Sequence, residues 1–75
     1  MKLWVKVDKI SETNVSKQIN TLLYVISYLG YDVGEYRVFN NVFKIKLYNL
    51  EVDTDIDDLT EQITNEFKNR YLCKT

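Results

Sequence analysis

The side chains that could do chemistry are few, and their spacing restricts them further. Histidine is absent, so the commonest general base and metal ligand is missing. The only thiol is Cys73, close to the end of the sequence and without a neighbouring base to activate it. Glu51, Asp53, Asp55, Asp57, Asp58 and Glu61 crowd one short segment. Asp53, Asp55 and Asp57 alternate as in a calcium loop, but Asp58 stands where that loop needs Gly and Thr64 where it needs a bidentate Glu. An acidic cluster before an apolar stripe is accounted for by helix capping, the macrodipole and solubility. Gly30 and Gly34 fit no phosphate-binding or dinucleotide fingerprint; Gly30 reads as a helix cap and Gly34 as a strand start or bulge. No catalytic residue, metal or cofactor is expected, and the chain is expected not to be an enzyme.

What remains is a surface. Val33 to Tyr48 reads VGEYRVFNNVFKIKLY, two alternating runs flanking Asn40-Asn41. The Asn pair suits a two-residue hairpin loop, because Asn tolerates the positive φ such turns favour. That loop sets the register and sorts the side chains. Tyr36, Val38, Phe43, Ile45 and Leu47 become a core face. Val33, Glu35, Arg37, Phe39, Val42, Lys44, Lys46 and Tyr48 become an amphipathic, basic face. Cross-strand partners there are Phe39 with Val42 and Glu35 with Lys46. Lys2 to Asp8 also alternates, with Leu3, Val5 and Val7 on one side and Trp4, Lys6 and Asp8 on the other. Adding this strand gives the candidate partner-binding set: Trp4, Lys6, Arg37, Phe39, Val42, Lys44, Lys46 and Tyr48. Aromatic and Arg side chains are favoured interface anchors.

Two helices must support this sheet. Ser11, Glu12, Thr13 and Asn14 offer N-caps for a stripe at Val15, Ile19, Leu22, Leu23, Ile26 and Leu29 that ends at Gly30. Tyr24 and Tyr28, one turn apart, are expected at its boundary with buried rings and wet hydroxyls. Tyr31 and Tyr36 are expected to close the core. Thr54 or Asp55 caps a second helix with its stripe at Ile56, Leu59, Ile63, Phe67 and Tyr71, and Lys68 and Arg70 complement the dipole in its last turn.

The fold class is α+β in the order β-α-β-β-α: a three-stranded sheet with both helices on one face, a ferredoxin-like unit lacking a clear final strand. The crossover rule sets the first strand beside and parallel to the third, with the second at the far edge. Tyr71-Leu72-Cys73 is the only candidate closing strand and is too short for more than a stub. The first strand is therefore expected to keep an open edge.

With 75 residues and 45% hydrophobic content, residues 1–75 read as a single domain near the lower size limit for an unaided core. No apolar run approaches the length of a membrane span, and the N-terminus lacks a signal peptide's apolar stretch. A single Cys suits a reducing cytoplasm. The net charge of −1 does not describe a polycation built for nucleic acid.

Tyr28-Leu29-Gly30-Tyr31-Asp32-Val33, then Glu35-Tyr36-Arg37-Val38 and Phe43-Lys44-Ile45-Lys46-Leu47, resemble the small subunit of phosphoribosylformylglycinamidine synthase, the PurS family. The family's helix ending in Leu-Gly-aromatic, its Val-Arg strand, tight turn and second strand all have counterparts, over about half the chain. The departures are Asn40-Asn41 in place of Gly-Lys, Ser11 to Asn14 in place of Pro-Gln-Gly, and the missing closing strand. The resemblance implies a non-catalytic oligomeric subunit bridging the amidotransferase and synthase subunits.

The residues themselves support a small non-catalytic protein-binding module that acts through its open sheet face or edge. It would be a regulator, an inhibitor of phage or mobile-element type, or an assembly subunit, engaging a protein partner and self-associating, with a homodimer expected. The alternatives are the PurS-like bridging subunit and a single-stranded nucleic-acid binder stacking bases on the sheet aromatics. The aromatic-glycine signature of sheet-based RNA binders is absent, and the acidic balance opposes that last reading.

Overall fold

The computed structural model describes residues 2–11 and 13–72. The chain runs through β1 (Leu3–Asp8), α1 (Val15–Tyr28), β2 (Asp32–Val38), β3 (Val42–Tyr48) and α2 (Ile56–Leu72). This is the β-α-β-β-α order and α+β class expected from the sequence. The sheet order is β1-β3-β2, so β2 lies at the far edge as anticipated. β1 and β3 are antiparallel, not parallel. The reason is simple: α1 returns the chain so that β2 runs with β1, and the hairpin then reverses β3 against both. A closing strand at Tyr71-Leu72 is likewise not formed, because α2 continues through Leu72; Cys73 lies outside the described residues.

The helices form as their caps dictate. At the end of α1 the Gly30 N–H donates to the Ser27 carbonyl at 3.0 Å and the Tyr31 N–H to the Ile26 carbonyl at 3.1 Å. That double closure is a Schellman motif, and the φ of +93° at Gly30 explains the glycine. The start of α1 works differently from the expected side-chain cap. Asn14 takes a left-handed conformation and makes no side-chain cap bond. Instead Gln18, fully buried, ties down the preceding loop. Its Oε1 accepts the Ile10 N–H at 2.9 Å, and its Nε2 donates to the Ser11 and Thr13 carbonyls, each at 2.8 Å. At α2, Asp55 is the cap: its Oδ1 accepts the N–H groups of Asp57 and Asp58 at 3.1 and 3.2 Å.

The core lies between the helices and one sheet face. Val5, Val7, Phe43, Ile45 and Leu47 from the sheet meet Leu22 and Ile26 of α1 and Leu59, Ile63, Phe67 and Tyr71 of α2. Phe67 packs edge-on against Phe43, with ring centroids 6.3 Å apart. Tyr31 and Val33 also pack against this cluster. Tyr36 and Val38, expected in the core, are exposed. β2 is an edge strand, and Val33 is its one residue that is not exposed. Among the described residues, no helix is long and apolar enough to cross a membrane.

Candidate functional site

The hairpin loop is the two-residue Asn40-Asn41 link: the Phe39 N–H donates to the Val42 carbonyl at 2.9 Å. Neither Asn has a positive φ, so the turn is not of the primed type expected from the Asn pair. Register is preserved all the same, because Val38 opposes Phe43 and Arg37 opposes Lys44.

Further along, the register shifts between Val33 and Tyr36. Gly34 and Glu35 together oppose Lys46, which is a β-bulge. The bulge turns Val33 to the core side, opposite Leu47, and so corrects its expected place on the basic face. It also leaves Gly34 beneath the Tyr48 ring: a Cβ at Gly34 would fall inside that ring.

The other candidate residues share the uncovered face. Trp4 lies opposite Lys46, and Lys6 opposite Lys44. Lys44 in turn opposes Arg37 across the sheet. Lys6, Lys44 and Arg37 thus form a row of like charges across all three strands, an arrangement that costs stability without a counter-charge. Glu35 supplies part of one. Its carboxylate lies 3.9 Å from both the Arg37 guanidinium and the Lys46 ammonium. Val42 sits beside Phe39 at the hairpin end and opposite Asp8. Tyr48 lies at the other end opposite Asp32, whose Oδ2 accepts the Asn49 side-chain amide at 2.8 Å.

The cations lie over the rings. Arg37 is 5.5 Å and Lys46 5.8 Å from the Trp4 ring centroid, and Lys44 is 5.3 Å from that of Phe39. Lys46 and Lys2 flank the Tyr48 ring at 5.8 and 5.6 Å. Each contact contributes about 0.5–1 kcal/mol at an exposed site. The stacking sets the cationic heads beside the rings of the open face. Trp4, Arg37, Phe39 and Lys44 line a shallow hollow of about 300 Å³, with Trp4 38% and Phe39 45% exposed.

The rest of the molecule offers less. Among the described residues no group of acidic or thiol side chains could hold a metal, and Asp55 spends its carboxylate on the α2 cap. Tyr24 and Tyr28 depart from expectation: they are 56% and 63% exposed. Their rings stack with centroids 6.4 Å apart, and Arg70 of α2 lies 4.8 Å from each. The i, i+4 tyrosine spacing was visible in the sequence; its partner on the other helix was not. Gln18 was also missed, since one polar residue beside an apolar stripe carries no signal of what it bonds. Comparison with protein-family models, curated proteins and solved structures found no match.

Proposed function

We propose that this chain is a non-catalytic binding module of the cytoplasm whose open sheet face docks an acidic surface of a partner protein, as a regulator, inhibitor or assembly subunit. The observation that carries the reading is the hollow between Trp4, Arg37, Phe39 and Lys44, crossed by the Lys6–Lys44–Arg37 row. An acidic group entering it meets a guanidinium able to bind a carboxylate bidentately. A flanking apolar side chain meets half-exposed rings. Single-stranded nucleic acid is the weaker occupant, because the chain carries a net charge of −1 and lacks the aromatic-glycine signature of sheet-based RNA binders. The bridging-subunit reading rests on the PurS resemblance alone, carried by Tyr28 to Val33, Glu35 to Val38 and Phe43 to Leu47 with the β-α-β-β-α order.

Capture of an interacting protein on the immobilised chain tests the proposal. Trp4→Ala combined with Phe39→Ala should abolish capture and leave the circular dichroism spectrum unchanged, since both side chains lie outside the core. Capture that survives the double substitution in a folded protein would refute the assignment of the face.

A further inference from the structure

The free edge of β1 carries an inference independent of what the sheet face binds. Among the described residues β1 pairs only with β3. The Lys9 N–H donates to the Asn41 carbonyl at 3.0 Å, which fixes the phase of the ladder. Leu3, Val5 and Val7 aim their N–H and C=O groups at β3. Those of Trp4, Lys6 and Asp8 therefore point outward, away from the sheet. An edge of this kind is a template for another strand unless it is blunted. No bulge interrupts β1, it contains no proline, and it is followed by a helix that crosses the sheet face instead of capping the edge.

We propose that β1 pairs antiparallel with β1 of a second copy of this chain, about a two-fold axis at Val5. The side chains select that register. Centring on Val5 sets Trp4 opposite the partner's Lys6 and Lys2 opposite the partner's Asp8, each twice by symmetry. The outward backbone groups of these pairs then bond to each other, as an antiparallel ladder requires. Leu3 meets the partner's Val7 on the core side, and the Lys6 stem lies along the Trp4 ring on the open side. Neighbouring registers are worse. Centring on Lys6 opposes Lys6 to itself, and centring on Trp4 sets Lys2 against the partner's Lys6, placing like charges directly opposite. The chosen register joins two three-stranded sheets into one and makes the basic face continuous across the seam.

Sedimentation equilibrium at low salt, with amide hydrogen exchange, tests this. The expected result is a concentration-dependent dimer whose formation slows exchange at Trp4, Lys6 and Asp8. Lys2→Glu alone and Asp8→Lys alone each put like charges opposite at both symmetric positions and should weaken the dimer by about tenfold. Both residues are exposed, so neither change disturbs the core. An equimolar mixture of the two variants pairs unlike charges at both positions and should regain the lost affinity as a heterodimer. A strict monomer at every concentration, a dimer indifferent to both variants, or a mixture no tighter than its components would each overturn the proposal.

Discussion

Gly34→Ala is a substitution whose cost should come from a side chain on another strand. Gly34 has no left-handed φ, so alanine meets no backbone objection there. Its Cβ would instead fall inside the Tyr48 ring, and the ring must swing away. Displacement removes the flanking contacts with Lys2 and Lys46 at 5.6 and 5.8 Å, together about 1–2 kcal/mol at exposed sites. The ring also loses its packing on the bulge. Alanine offsets about 0.4–1 kcal/mol of this by restricting the unfolded chain. The net loss is about 1 kcal/mol, or a Tm lower by about 4–8 °C for a domain of this size. In a Tyr48→Ala background the same change should be neutral or stabilising, because the obstacle is gone. Thermal or urea denaturation of the four proteins of this double-mutant cycle reads the coupling directly. An equal cost of Gly34→Ala in both backgrounds would refute the steric argument and move the cause to the backbone of the bulge.

Other substitutions probe the frame that holds the face. Gly30→Ala should cost about 1–2 kcal/mol purely through its φ of +93°, since nothing lies within contact of the added carbon; a denaturation midpoint unchanged from wild type would contradict this. Gln18→Leu keeps the volume but removes the side-chain partner of the Ile10 N–H and of the Ser11 carbonyl, and leaves the Thr13 carbonyl only the Ser11 hydroxyl. It should destabilise by about 2 kcal/mol or more and expose the β1–α1 loop to proteolysis. Asp55→Ala should lose about 0.5–2 kcal/mol by removing the α2 cap, measured by urea denaturation at neutral pH.

The hairpin shows why part of this was legible in the sequence. Alternation in Val42 to Tyr48 is strict, so its faces follow from local pattern alone, and Phe43, Ile45 and Leu47 are buried as expected. β2 is read less well. Gly34 reads as a strand start or a bulge, and only the register shift between Val33 and Tyr36 decides for the bulge and puts Val33 on the core side. Tyr36 and Val38 alternate like core residues, yet they are exposed on the edge strand, a position that alternation alone does not reveal. The strand order was inferable from connectivity, but the direction of β3 needed the hairpin reversal followed through. The basic face was legible because it requires only period two in each strand. Its electrostatics were not: Arg37 and Lys46 meet at Trp4 only once β1 is set beside β3 in the observed register. The Tyr24–Tyr28–Arg70 stack likewise depends on how the two helices pack.

The central claim is that the hollow and cation row on the open sheet face receive an acidic polypeptide. Titration of the ¹⁵N-labelled protein with a glutamate-rich peptide containing one aromatic residue, beside an oligothymidylate control, tests it most directly. The account predicts peptide-induced shifts concentrated at Trp4, Lys6, Arg37, Phe39, Lys44 and Lys46. They should fade with added salt and disappear in the Arg37→Ala, Lys44→Ala double variant, with the oligonucleotide binding more weakly. Shifts confined to the helices, no shifts at low salt, or tighter oligonucleotide binding at the same residues would contradict it.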